Sequence, residues 1–119
     1  RKLFFMPWSF DNCDIDLERF AKEVKRNKAD FIYFDYGDPF YPLPLKEIRR
    51  IAGDDAIMVY DGSHVLGLIA GKKFQKPMEE GCDILMGNTH KTFPGPQKAV
   101  LMYKDMKFGM EVADKLFEH

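Results

Sequence analysis

The sequence predicts an α/β fold built on a mostly parallel sheet, with one antiparallel strand near residues 99–103. Three observations carry this. Short apolar runs of strand length alternate with stretches whose apolar residues recur at helical spacing. The resulting order of strand, helix, strand, helix, strand is that of a parallel sheet with crossover helices. Only the ten residues 89–98, with Pro94, Gly95 and Pro96 among them, separate Asn88 from Ala99. A parallel crossover needs about a dozen residues or more, usually including a helix, so the last strand must turn back on its neighbour.

Taken in order, Leu3 to Met6 is a short apolar run that reads as a strand. Asp16 is placed to cap a helix whose residues Leu17, Phe20, Ala21 and Val24 fall at i, i+3, i+4 and i+7. Phe31 to Phe34 is unbroken apolar sequence, the pattern of a strand buried on both faces. Pro42 and Pro44 break the chain, and Pro44 suits the first turn of a helix that turns Leu45, Ile48, Ile51 and Ala52 inward and stops at Gly53. Ala56 to Tyr60, Asp83 to Met86 and Ala99 to Tyr103 are the further strands. Phe108 to Phe117 reads as a helix leaving the sheet.

Composition bounds what this fold can do. The 119 residues are 45% hydrophobic and 14% aromatic with a formal net charge of −1, the values of a folding domain. The 18 basic residues are dispersed, which argues against a nucleic-acid surface. No apolar run reaches the length of a membrane span, and no signal peptide is recognisable. Cys82 opens an apolar run and reads as a buried free thiol rather than half of a disulfide with Cys13. A soluble, cytoplasmic protein is the expectation. The chain begins at Arg1 and its last helical stretch runs straight to His119, so both ends read as cut from something longer.

Ligands of open parallel sheets bind beyond the carboxyl ends of the strands. Asp61, Ser63 and His64 follow one strand there, and Asn88, Thr89, His90, Lys91 and Thr92 follow another. If those strands are neighbours, an acid, two imidazoles and an amine converge on one edge. A lysine amine attacks a carbonyl to form an imine, provided its surroundings let it lose a proton. An aspartate opposite could hold a protonated pyridine nitrogen, whose ring is an electron sink. Lysine plus aspartate is thus the minimum pairing for pyridoxal phosphate chemistry. Other readings stay open on spacing alone. Asp61-Gly62 is a good turn dipeptide, and a hairpin between 56–60 and 65–69 is one alternative. His64 and His90 could be hydrogen-bonded structural residues, Lys91 a solvated loop residue, and Thr89 and Thr92 partners of loop backbone. A zinc site lacks its paired ligand spacing, and a nucleotide loop lacks its second glycine.

Thr89-His90-Lys91-Thr92-Phe93-Pro94-Gly95-Pro96 resembles the Thr-His-Lys-Thr-Leu-x-Gly-Pro segment of serine hydroxymethyltransferases. Asp61-Gly62-Ser63-His64-Val65-Leu66-Gly67-Leu68-Ile69-Ala70 is similar to that family's Asp-x-Ala-His-x-x-Gly-Leu-x-Ala. The interval between the two blocks fits as well. Arg49-Arg50-Ile51-Ala52 matches the family's Arg-Glu-Ile-Ala helix, and Asp14-Ile15-Asp16 fits the stretch before it. The likeness extends over nearly the whole chain.

The resemblance implies part of a three-layer fold type I large domain, the aspartate aminotransferase-like architecture, with residues 1–119 forming its central portion. It implies pyridoxal 5'-phosphate as cofactor, Lys91 as the Schiff-base residue, Asp61 as partner of the pyridine nitrogen and His64 as a contact to the phenolic oxygen. Thr89 and His90 would line the same pocket. The implied activity is that of a serine/glycine hydroxymethyltransferase-like transferase of one-carbon and amino-acid metabolism, acting on the alpha carbon of serine, glycine or threonine, with tetrahydrofolate a candidate co-substrate. Two alternatives stand beside it: a threonine aldolase, transaldolase or aminotransferase on the same fold, and a noncatalytic relative with a structural or binding role. The family's phosphate loop lies before this region, its carboxylate-binding arginine and small domain lie elsewhere, and a homodimer or larger assembly completes the site. The 119 residues alone are therefore expected to hold the cofactor weakly and not to turn over.

Three departures bear on substrate. Gln97-Lys98-Ala99 stands where the family has Arg-Gly-Gly. Gly87 and Asn88 occupy the places of two threonines. Tyr36-Gly37-Asp38-Pro39 lies where a Ser-Ala-Tyr-Ser stretch supplies a cofactor-touching serine. The wording Phe93-Pro94-Gly95-Pro96-Gln97 looks more like a branch that includes threonine transaldolases.

Overall fold

A computed structural model describes residues 2–118. A small hairpin, β1 (Trp8–Ser9) and β2 (Asp14–Ile15), precedes α1 (Leu17–Arg26). There follow β3 (Phe31–Asp35), α2 (Leu45–Ala52), β4 (Ile57–Asp61), α3 (Leu66–Ala70), β5 (Ile84–Asn88), β6 (Ala99–Tyr103) and α4 (Met106–Phe117). The main sheet has the order β3-β4-β5-β6. β3, β4 and β5 run parallel, and β6 returns antiparallel to β5, with Gly87 opposite Val100 and Asn88 opposite Ala99. The short connection therefore sets the strand direction as its length requires.

The helices begin and end where the sequence says they should. Asp16 accepts the Arg19 backbone N–H at 3.0 Å, and Glu18 sits favourably in the first turn of α1. α2 starts just after Pro44 and ends at Gly53, whose φ of 78° a side chain would disfavour. Phe20 of α1 and Leu45 and Ile48 of α2 pack with Ile32, Phe34, Met58, Tyr60 and Leu85 on one sheet face to form the core. Gln75 is the buried polar residue of that core. It accepts from Leu43 N–H and the Tyr60 hydroxyl and donates to the Leu43 carbonyl and Glu80, so its burial leaves nothing unpaired.

Three sequence expectations need correction. Leu3 to Met6 is not a strand: Leu3 and Phe5 are almost fully exposed and the run has no pairing partner, the first strand falling at Trp8–Ser9 instead. β3 is not buried on both faces. It alternates, with Ile32 and Phe34 inside but Phe31 57% and Tyr33 43% exposed, because the helices cover one face of this edge strand. The hairpin alternative for 65–69 fails, since that segment forms α3, whose Leu66 packs over Gly87. α4 leaves the sheet after its first turn, with Met110, Leu116 and Phe117 exposed. Phe108 meets Tyr103 edge-on at 6.1 Å, and Gly109 lies so close to the Tyr103 ring that a Cβ there would clash.

Candidate active site

β4 and β5 are adjacent and parallel, so their carboxyl ends share one edge of the sheet, and Asp61 stands opposite Met86. Asp61 is the last residue of β4 and half-buried. Its Oδ1 accepts the Ser63 backbone N–H at 2.9 Å, and its Oδ2 accepts the Tyr33 hydroxyl at 2.9 Å. Partial burial raises the carboxyl's pKa. The Ser63 hydrogen bonds, the Tyr33 hydroxyl and the positive charge of Lys91 together outweigh it, leaving Asp61 below the ordinary aspartate value. An anionic carboxylate and a lysine that senses it therefore lie at the same edge.

The lysine segment is held against α3 rather than hanging free. Thr92 Oγ1 donates to the His64 carbonyl at 2.8 Å and accepts the Gly67 N–H at 3.2 Å. Gly67 makes this approach feasible: a Cβ there would lie 2.1 Å from the Thr92 carbonyl oxygen. One turn after the strand bearing Asp61 thus clamps the residue beside Lys91. Thr89 closes the same loop at its base. Its hydroxyl donates to the carbonyls of Pro96 and Lys98, and its N–H to Lys98 O at 3.0 Å. Both threonine hydroxyls satisfy loop backbone groups.

Of the residues singled out by sequence, Asp61, Lys91, His64 and Thr89 are gathered at this edge with His90 on the same loop. Lys91, His64 and His90 are exposed, and their side chains make no hydrogen bond among the described residues. Tyr36-Gly37-Asp38-Pro39 follows β3 at this edge too, with the Tyr36 ring 6.1 Å from Trp8. Two wide concavities, about 840 Å³ beside the N-terminal segment and α1 and about 590 Å³ between Arg49 and Phe108, do not include these residues. The site is an open sheet edge here, not an enclosed pocket.

Sequence reasoning missed Tyr33 and the clamp made by Gly67 and Thr92. Tyr33 lies inside the apolar run Phe31 to Phe34, and nothing local in the sequence directs it to Asp61. The clamp had one clue, a glycine at helical spacing after the Asp61 turn, but its partner is 25 residues away.

The serine hydroxymethyltransferase family model matches residues 4–118, nearly the whole chain. The chain belongs to the serine hydroxymethyltransferase family. Serine hydroxymethyltransferase of Methanocella arvoryzae is 38% identical over 117 residues, covering 98% of this chain and 27% of that protein. The Thermococcus kodakarensis enzyme is 46% identical over 113 residues, covering 92% and 26%. Fluorothreonine transaldolase of Streptantibioticus cattleyicolor is 45% identical over 95 residues, covering 80% and 15%. A crystal structure of L-threonine transaldolase from Pseudomonas fluorescens in its internal aldimine state superposes with a TM-score of 0.87 at 35% identity, covering 97% of this chain and 26% of that one. The chain thus spans about a quarter of the length of these serine hydroxymethyltransferases. Its mostly parallel sheet with one antiparallel strand fits the fold type I pyridoxal phosphate enzymes of which this family is part.

Proposed function

We propose that this family member is the central part of the large domain of a pyridoxal phosphate-dependent transferase, hydroxymethyltransferase-like, acting at the alpha carbon of serine, glycine or threonine. The observation that carries this is that Asp61, its carboxyl pKa lowered despite partial burial by the Ser63 and Tyr33 hydrogen bonds and by the charge of Lys91, ends β4 beside the strand that leads into the Lys91 loop. The donor set fits the cofactor: an amine for its aldehyde, an ionised carboxylate for its pyridine nitrogen and an imidazole, His64, for its phenolic oxygen. Bound there, the cofactor would supply the electron sink for charge developing at the alpha carbon.

The chain's own residues have defined tasks in this reading. Lys91 would hold the cofactor's aldehyde carbon through Nζ, and its amine, when free, would move a proton. Asp61 would hold the cofactor's pyridine nitrogen by accepting a hydrogen bond from its N–H. His64 would contact the cofactor's phenolic oxygen, His90 would line the same pocket, and Thr89 shapes the loop that carries His90 and Lys91. Tetrahydrofolate as co-substrate, a cytoplasmic location and assembly as a homodimer or larger oligomer complete the proposal. Among the described residues no helix is long and apolar enough to cross a membrane.

A second reading, threonine transaldolase, is favoured by one observation. Fluorothreonine transaldolase is as similar over its matched stretch as the hydroxymethyltransferases are. Borohydride reduction of the cofactor-loaded protein followed by peptide mapping tests the common core. The label should fall on Lys91, and label elsewhere removes the proposal. Supplying serine with tetrahydrofolate, or threonine with an aldehyde, then separates the two readings by which pair is consumed.

A further inference from the structure

Tyr33 lies outside the two motif blocks at residues 61–70 and 89–96, yet its hydroxyl donates to Asp61 Oδ2 from a different strand, alongside the local contacts from Ser63. The contact follows from sheet geometry. Tyr33 stands opposite Val59, so Asp61, two residues further along β4, is its diagonal neighbour on the same face. A tyrosine is long enough to span that diagonal. The Tyr33 ring lies parallel to that of Phe31 at 6.4 Å, which limits how it swings. Its hydroxyl oxygen sits 2.9 Å from Asp61 Oδ2 and 3.6 Å from Met86 Sδ. Partial burial and then the neighbouring Asp61 push the phenol up to about 12, so it stays a donor through the working pH range.

We propose that Tyr33 is a positioning residue for Asp61, fixing the rotation of its carboxylate and holding it anionic for the cofactor's pyridine nitrogen. This rests on the reading of Asp61 given above. The carboxylate's terminal torsion is intrinsically broad. The Ser63 N–H holds Oδ1, and the Tyr33 hydroxyl holds Oδ2. With both oxygens engaged, each keeps a further lone pair for a third donor. Without the phenol, Oδ2 turns to water and the negative charge loses a charge-assisted bond. Tyr33 would in this way govern how firmly the pyridine nitrogen keeps its proton, and so how strongly the ring withdraws electrons.

The test compares Y33F, D61N and a protein carrying 3-fluorotyrosine at position 33, which keeps the shape of tyrosine but donates more strongly. In the cofactor-free protein, carbon-13 titration of the Asp61 carboxyl should show its pKa raised by Y33F and lowered by fluorination. In the loaded protein, the pH midpoint of the cofactor's visible absorption should shift in opposite directions for the two. Pyridoxal phosphate should bind Y33F about three- to tenfold more weakly, the loss expected for one such bond. If Y33F weakens binding while both replacements leave the Asp61 titration unmoved, Tyr33 merely packs and the proposal is overturned. If D61N binds and titrates like wild type, the reading of Asp61 itself falls, and the proposal with it. That outcome is distinguishable, because D61N is unaffected only then. The fluorinated protein keeps the test decisive should Y33F fail to fold.

Discussion

Arg49 and Asp83 tie the amino-terminal ends of the parallel strands together. Arg49 Nη2 donates to Asp83 Oδ2, and that oxygen also accepts the Met58 N–H at 2.8 Å. The rest of the guanidinium is equally engaged, with Nε on Gly81 O at 2.9 Å and Nη1 on Gly53 O and Ala56 O at 2.8 and 2.7 Å. One side chain on α2 thereby closes three loop carbonyls and the carboxylate just before β5. The pair is only partly exposed, 16% and 31%, so solvent screens it incompletely.

Truncation at Arg49 should accordingly be costly. R49A leaves a half-buried carboxylate and three carbonyls without their donor, and about 3 kcal/mol is expected, the low end for a buried pair. R49K keeps charge but not the fork, and should lose about 2 kcal/mol. D83N retains an acceptor for Met58 and should lose only about 1 kcal/mol. Urea midpoints at unchanged slope give these values. Equal midpoints for R49A and wild type would show that the network contributes nothing net.

The contact between Gly67 and Thr92 makes a different prediction, about placement rather than global stability. In G67A the new methyl meets the Thr92 carbonyl, which is backbone and cannot rotate away. The lysine loop must lift, at a cost of about 1–3 kcal/mol. T92V removes the bridge to His64 O and Gly67 N, for about 1 kcal/mol, and T92S preserves it. Borohydride labelling at Lys91 should fall sharply in G67A, fall partly in T92V and persist in T92S. Labelling of G67A at the wild-type level would show that the loop is not held by α3.

Asp61 sets a pH dependence whose sign is fixed by its lowered pKa. A native value below the unfolded one, about 3.9, means the folded state prefers the ionised form. The resulting stabilisation is fully present above about 3.9 and disappears as pH falls through the lower native value. Stability of D61N relative to wild type should therefore be constant through the neutral range and converge only in acid. Urea unfolding over a pH series measures this. A gap that closes between pH 5 and 7 would contradict it.

Particular residues show why some of this was legible in the sequence and some was not. Asp16 and Gly53 mark helix ends through local chemistry, bonds and φ angles within a few residues, so α1 and α2 were readable. The direction of β6 followed from loop length alone. Asp61 and Lys91 stand out in the sequence because each lies in a polar stretch after an apolar run, and the family resemblance is what implies their roles. The apolar run at Leu3 to Met6 misled because strand formation needs a partner, which the run itself does not specify. Phe31 and Tyr33 misled for a related reason: apolar residues on an edge strand need not be covered. Tyr33 with Asp61, Arg49 with Asp83 and Gly67 with Thr92 all depend on register between segments 25 or more residues apart. Local pattern does not encode that register.

The two cysteines should separate by reactivity. Cys82 is fully buried beside the core, and burial, then the negative charge of Asp83, pushes its thiol up to about 12. Cys13 is exposed. The thiolate is the reactive form, so near neutral pH a thiol reagent should modify Cys13 quickly and Cys82 only as fast as the protein opens. In denaturant both should react at once. Substitution separates packing from polarity at the same position. C82A leaves a small cavity and should cost about 1 kcal/mol. C82S fits the space but buries a hydroxyl in place of a weakly polar thiol, and should cost more, about 2 kcal/mol, unless it finds an acceptor. Rapid labelling of Cys82 in the native protein would mean that the segment before β5 opens readily, and the order of the two substitutions would then lose its basis in burial.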